Sequence, residues 1–131
     1  MVATRLTRTL LLAALFAATT PAMAQAAPPG SVLTLTLHAK NGTAAPRSVV
    51  LNCDPDSGTH PRAKAACESL RSAKGDFAAL GQNHASAPCP LVLRPVVASA
   101  GGTWQGKPVK FTREFGNECE AAAKLGPVFD F

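Results

Sequence analysis

The sequence predicts an α+β domain built on a single antiparallel sheet. Three observations predict it. The stretches Val32–His38 and Val109–Phe115 alternate apolar with polar residues, the period of a half-buried strand. Helical stretches at Arg62–Ser72 and Glu120–Lys124 interrupt the strands without the regular strand–helix–strand alternation of a parallel sheet. Four cysteines, Cys53, Cys67, Cys89 and Cys119, in so small a chain read as two disulfides. Spacing alone leaves all three pairings open; the local one, Cys53–Cys67 with Cys89–Cys119, is the simplest.

Residues 1–24 are expected to be a secretory signal peptide rather than part of the domain. Arg5 and Arg8 give a basic start, Leu10–Ala18 is a short apolar run, and Ala22-Met23-Ala24 is a small-x-small cleavage site. Ala24-Gln25-Ala26 offers a second cleavage site. The apolar run is too short for a permanent membrane span. The remaining domain, residues 25–131, opens with a loose tail over 25–31 containing Pro28-Pro29-Gly30. Without the two leader arginines, the formal charge falls from +5 to +3. So small a charge, dispersed along the chain, is no nucleic-acid footprint.

Within the domain, Asn41-Gly42 marks a turn and Ser48–Cys53 the returning strand. Asn41-Gly42-Thr43 also matches a glycosylation acceptor, a pattern short enough to arise by chance. Asp54–Pro61 reads as a loop, and its acids lack the glycine and glutamate positions of a calcium loop. Thr59 or His60 is expected to cap the first helix, with Pro61 in its first turn. Gly75–Leu80 adds a further helical turn. Val96–Ser99 reads as a strand, Gly101-Gly102 as a turn, and Thr103–Gln105 as the start of the next strand. The apolar Val128–Phe131 is expected to close the sheet as an edge strand.

The chemistry of an enzyme is missing. There is no Gly-x-Ser-x-Gly elbow and no phosphate-binding glycine loop. His38, His60 and His84 are scattered, and no pair of acids shares a helical face. With every cysteine assigned to a bridge, no thiol nucleophile remains. Neither Cys-x-x-Cys nor His-x-x-x-His is present, so no metal site is expected, and no cofactor.

What remains distinctive is Ala87-Pro88-Cys89-Pro90-Leu91-Val92-Leu93-Arg94-Pro95. Three prolines each fix their own φ and bias the preceding residue toward extended geometry. Cys89 anchors the segment covalently, and Leu91 follows as a large apolar side chain. A rigid, anchored, extended peptide presenting one leucine suits an enzyme that reads extended peptides. The competing expectation is an exported binding module whose bridged loop grips a ligand other than a protease.

The order of Val32-Leu33-Thr34-Leu35, Cys53, Ser57-Gly58-Thr59-His60-Pro61, Cys67, Gly75-Asp76, Cys89-Pro90-Leu91-Val92, Pro95-Val96, Trp104-Gln105-Gly106-Lys107, Phe115, Asn117-Glu118-Cys119 and Val128-Phe129 closely resembles the Streptomyces subtilisin inhibitor family. The resemblance covers essentially the whole domain. It implies disulfides Cys53–Cys67 and Cys89–Cys119, a five-stranded antiparallel sheet with two helices, and a homodimer formed through the sheet. It implies inhibition of an extracellular serine protease with an apolar specificity pocket, by a slowly cleaved bond at Leu91–Val92. Ala87, Pro88, Cys89, Pro90, Leu93, Arg94 and Pro95 would then contact the protease, and Asn117 would brace the loop from behind. The chain departs from the family pattern at Leu93-Arg94-Pro95, where Tyr-Asp-Pro is frequent, and at Pro88.

Overall fold

β1 (Ser31–Ala39) shows why a sheet forms and where it sits. Its residues Ser31, Leu33, Leu35 and Leu37 are buried, while Val32 and Thr34 between them are exposed. One face of the strand must therefore be covered, and this strand lies at the centre of the sheet. β2 (Arg47–Cys53), β3 (Ser57–Gly58), β4 (Val96–Trp104) and β5 (Lys107–Phe115) complete five antiparallel strands in the order β3-β2-β1-β4-β5. The register puts Leu35 beside Val49 on one side and Ala100 on the other.

A computed structural model of the chain describes residues 18–25, 30–42, 44–83 and 88–131. Residues 1–17 of the expected leader, together with Pro28, Pro29, Thr43, His84 and Ala87, lie outside the described residues. Among the described residues no helix is long and apolar enough to cross a membrane.

Two helices cover the buried face. α1 (Ala63–Ser72) buries Ala66, Cys67 and Leu70, one stripe at helical spacing. α2 (Glu118–Leu125) buries Ala121 and Leu125. Two 3₁₀ turns, Phe77–Asn83 and Gly126–Phe129, add Phe77, Leu80, Val128 and Phe129 to the same core. Cys53–Cys67 ties the end of β2 to α1, and Cys89–Cys119 ties the proline-rich segment to α2. In the chain-entropy account, closing loops of these sizes stabilises the fold by about 3 to 4 kcal/mol each.

Several sequence expectations are corrected. Gly101-Gly102 does not turn: β4 runs through it to Trp104. Gly102 has φ +129°, and a Cβ there would fall 2.1 Å from the Val32 carbonyl oxygen, so the glycine permits close backbone approach in mid-strand. The reversal comes at Gln105-Gly106, where φ is +47° and +80°, as a two-residue hairpin turn of the primed kind requires. Val128–Phe131 is not an edge strand. Val128 and Phe129 are adjacent and both buried, which a 3₁₀ turn allows and a strand on a one-sided sheet does not. The fifth strand is instead Ser57–Gly58, read from the sequence as loop. Ser31, assigned to the tail, begins β1, and its Oγ accepts the Gln105 N–H at 2.8 Å.

The expected helix cap is also different. Arg62 occupies the N-cap position without a side-chain cap, and Pro61 stands before the helix. Thr59 Oγ1 instead accepts the Val50 N–H at 2.8 Å. His60 is 5 % exposed and bridges two segments. Its Nδ1 accepts the Arg62 N–H at 2.9 Å, so Nε2 carries the proton and donates to the Val128 carbonyl at 3.0 Å.

Burial lowers the His60 pKa from its ordinary value, outweighing the hydrogen bond to Val128 and the nearby Asp130, while Arg62 lowers it further. A second proton would also place a donor at Nδ1 against the Arg62 N–H. The folded protein thus resists a proton that the unfolded chain accepts below about pH 6.5. Stability should be fully present above that pH and fall as the pH drops toward the lowered folded value. Histidine NMR titration should give His60 a midpoint below that of a free imidazole, and denaturant unfolding at pH 5 should need less denaturant than at pH 7.5. A His60 midpoint at or above the ordinary value contradicts this account.

Candidate functional site

The segment Pro88–Pro95 crosses from Pro88 to the start of β4 without regular secondary structure. It is nonetheless held at almost every second residue. Cys89 is bonded to Cys119 in the first turn of α2. Asn117 Nδ2 donates to the Pro90 carbonyl at 3.2 Å and to the Val92 carbonyl at 2.9 Å. The Arg94 N–H donates to the Gly116 carbonyl at 2.8 Å, and the Lys40 N–H to the Pro95 carbonyl at 2.9 Å. One amide side chain therefore grips the backbone on both sides of the Leu91–Val92 peptide bond.

Asn117 is itself fixed. Its backbone is extended and its Oδ1 accepts the Glu120 N–H at 2.9 Å, making it the N-cap of α2. The Glu120 carboxylate reaches back to the Gly116 N–H at 2.8 Å, a capping-box exchange displaced by one residue. Ala121 and Leu125 anchor the same helix in the core. The brace therefore runs from the core, through α2 and Asn117, to the two carbonyls. Sequence reasoning named Asn117 but missed Gly116 and Glu120. The Asn117-x-x-Glu120 spacing was the available signal.

The side chains follow from this backbone. Leu91 is fully exposed at 106 % of its reference area, Val92 45 % and Leu93 81 %. Leu91 and Leu93 line a shallow hollow with Gly116 and Glu120, Arg94 lines a cleft of about 700 Å³ with Glu118, and Val92 and Asn117 border both. Leu91 and Leu93 thus face one side of the segment and Arg94 the other, as extended chain allows. Two exposed ion pairs, both 2.8 Å, involve its neighbours: Glu118, which lines the cleft, pairs with Arg47, and Lys40, whose N–H holds Pro95, pairs with Glu114. Pairs so exposed contribute at most about 1 kcal/mol.

The structure brings together Pro88, Cys89, Pro90, Leu91, Val92, Leu93, Arg94, Pro95, Asn117 and Cys119, while Cys53 and Cys67 form a separate bridge elsewhere. Asp56 lies within 4.8 Å of the Cys53 and Cys67 sulfurs, but both are bonded to each other and offer no thiolate. Among the described residues there is no free cysteine.

An apolar side chain held out on a braced, substrate-like backbone is the geometry a protease inhibitor presents. The profile of the family described as "Subtilisin inhibitor-like" matches residues 29–117. Subtilisin inhibitor-like protein 4 of Streptomyces lavendulae is 47 % identical over 107 residues, 80 % of this chain and 91 % of that protein. The subtilisin inhibitor of Streptomyces albogriseolus is 45 % identical over 107 residues, 80 % and 74 % of the respective chains. Among solved structures, that of Streptomyces caespitosus sermetstatin in complex with Bacillus licheniformis subtilisin is similar, with a TM-score of 0.65 and 30 % identity over 79 % of this chain and 100 % of that one. The chain belongs to the subtilisin inhibitor-like family.

The two functions of Asn117 can be separated. Asn117→Asp keeps an oxygen to cap α2 but presents no donor to the Pro90 and Val92 carbonyls. Asn117→Ala loses both. Thermal unfolding should place the aspartate variant near the parent and the alanine variant about 1 kcal/mol below the aspartate. Backbone order parameters at residues 90–92 should fall in both. Unchanged order in Asn117→Asp would mean that the disulfide alone holds the loop.

Proposed function

We propose that the protein is a secreted inhibitor that offers Leu91–Val92 to subtilisin-like serine proteases, and to chymotrypsin-like ones with a similar pocket, as a slowly cleaved substrate. The observation that carries this reading is the exposed Leu91 between two carbonyls held by one asparagine. A protease takes an extended peptide as an added strand, with backbone hydrogen bonds giving affinity and pockets giving choice. A flexible peptide loses roughly 0.5–1.5 kcal/mol for each mobile side chain that binding orders. Pro88, Pro90 and Pro95, the Cys89 bridge and Asn117 remove much of that loss beforehand. Burying Leu91 in an apolar pocket contributes roughly 1.5–3 kcal/mol.

The same brace explains slow turnover. After attack at the Leu91 carbonyl, the leaving amine of Val92 stays in place, because the Val92 carbonyl is tied to Asn117 and Cys89 to Cys119. Reclosure then competes with hydrolysis, since held reactants can act as if at concentrations of about 10⁵ M or more.

Export by the leader at residues 1–24 belongs to this reading; its cleavage positions Ala22–Ala24 lie in an exposed stretch without regular structure. So does a homodimer through the sheet face that the helices leave uncovered, where Val32 and Val50 are exposed. Sedimentation of the purified domain at twice the monomer mass supports the dimer, and a monomer at micromolar concentration removes it.

Titration of subtilisin with the purified domain, read on a small peptide substrate, should abolish activity at one inhibitor protomer per enzyme. Activity that persists in excess inhibitor rejects the function. Leu91→Lys should move inhibition toward trypsin-like enzymes while leaving the fold intact; an unchanged enzyme panel would shift the contact elsewhere. Selective reduction of Cys89–Cys119 in the folded protein should speed cleavage at Leu91–Val92. If the reduced form were cut no faster, the bridge would have no part in holding the bond.

A further inference from the structure

We infer that Arg94 determines specificity: among proteases with an apolar pocket, it favours those bearing carboxylates on the side of the active site that receives the leaving half of the bond. The inference rests on Leu91–Val92 being the bond offered. From Pro88 to Pro95, Arg94 is the one ionisable side chain, and it stands three residues beyond Leu91. It is exposed.

Its backbone is fixed on both sides. The Arg94 N–H donates to the Gly116 carbonyl, and the carbonyl of the following residue, Pro95, accepts from the Lys40 N–H. The guanidinium thus hangs from a set point on the same braced segment as Leu91. Arg94 lines the cleft and Leu91 the hollow on the other side of the segment, so the guanidinium does not compete for the pocket that takes the leucine.

The surrounding charges leave it uncompensated. Lys40 is paired with Glu114, and Arg47 with Glu118, the carboxylate that shares the cleft with Arg94. Among the described residues, the Arg94 guanidinium takes part in no ion pair. Placement on a bound contact surface would set this charge against the rim of the enzyme. A rim charge acts chiefly on encounter: an opposite charge raises the association rate, a like charge lowers it, and salt screens both. The partner chemistry it fits is an acidic rim.

Stopped-flow association with one subtilisin made in two forms tests this, one with an aspartate and one with a lysine introduced on the leaving-group side of its active site. The inhibitors are the parent, Arg94→Lys, Arg94→Glu and Leu91→Gly. At ~10 mM salt, where charges act over ~30 Å, the parent and Arg94→Lys should associate faster with the aspartate enzyme, by about tenfold. Arg94→Glu should reverse that order, and ~1 M salt should erase both differences. If the parent and Arg94→Glu rank the two enzymes alike while Leu91→Gly loses inhibition, the role of Arg94 is overturned and the reactive bond stands. If Leu91→Gly inhibits as well as the parent, the reactive bond is misassigned and the inference about Arg94 falls with it.

Discussion

The structure depends on one amide side chain that donates twice. Asn117 Nδ2 holds the Pro90 and Val92 carbonyls, and everything behind it serves to keep that amide still. A side-chain amide has two donor hydrogens in a plane, which is why one asparagine can bridge two carbonyls two residues apart in extended chain. Its oxygen is left to cap α2, so no polar group of the residue goes unmatched. Aspartate, serine or threonine would serve the cap equally well but lack the pair of donors.

Stiffness reaches this amide from the core. The buried residues of α2 pack under the sheet, and Cys119 lies in the helix's first turn. The far end of the segment joins β4, which is paired on both sides. The peptide is thus suspended between a helix start and a central strand of one sheet. Leu91 and Leu93, exposed on such a segment, would be unfavourable on a protein with nothing to bind. Conserving that exposure in a fixed geometry is the physical content of inhibition: the partner finds a substrate that is already ordered.

The elements with a strict period were legible. β1 alternates cleanly and β5 over most of its length, α1 carries its apolar stripe at helical spacing, and all three lie within a residue or two of where patterning put them. The failures share a cause. Gly101-Gly102 and Val128–Phe131 are short, and their local pattern fits two structures; only the close approach of Val32 and the burial of adjacent Val128 and Phe129 decide between them. β3 has just two residues, fewer than any period needs. At the site, the prolines and Cys89 declared an extended, anchored peptide. The disulfide pairing and the role of Asn117 came from the family resemblance, because hydrogen bonds between residues 25 and 27 positions apart leave no mark on local pattern.

The strand order carries a consequence for how the molecule is made. β1 is the first element of the domain, yet it is central, and its second neighbour β4 begins only at Val96. During synthesis, the middle of the sheet stays half-built until β4 has emerged. Leu91 emerges before β4, whereas Gly116, Asn117, Cys119 and Glu120 emerge only after β5. Each newborn molecule therefore passes through an interval as an ordinary linear peptide, vulnerable to the very hydrolases it is shaped to disarm.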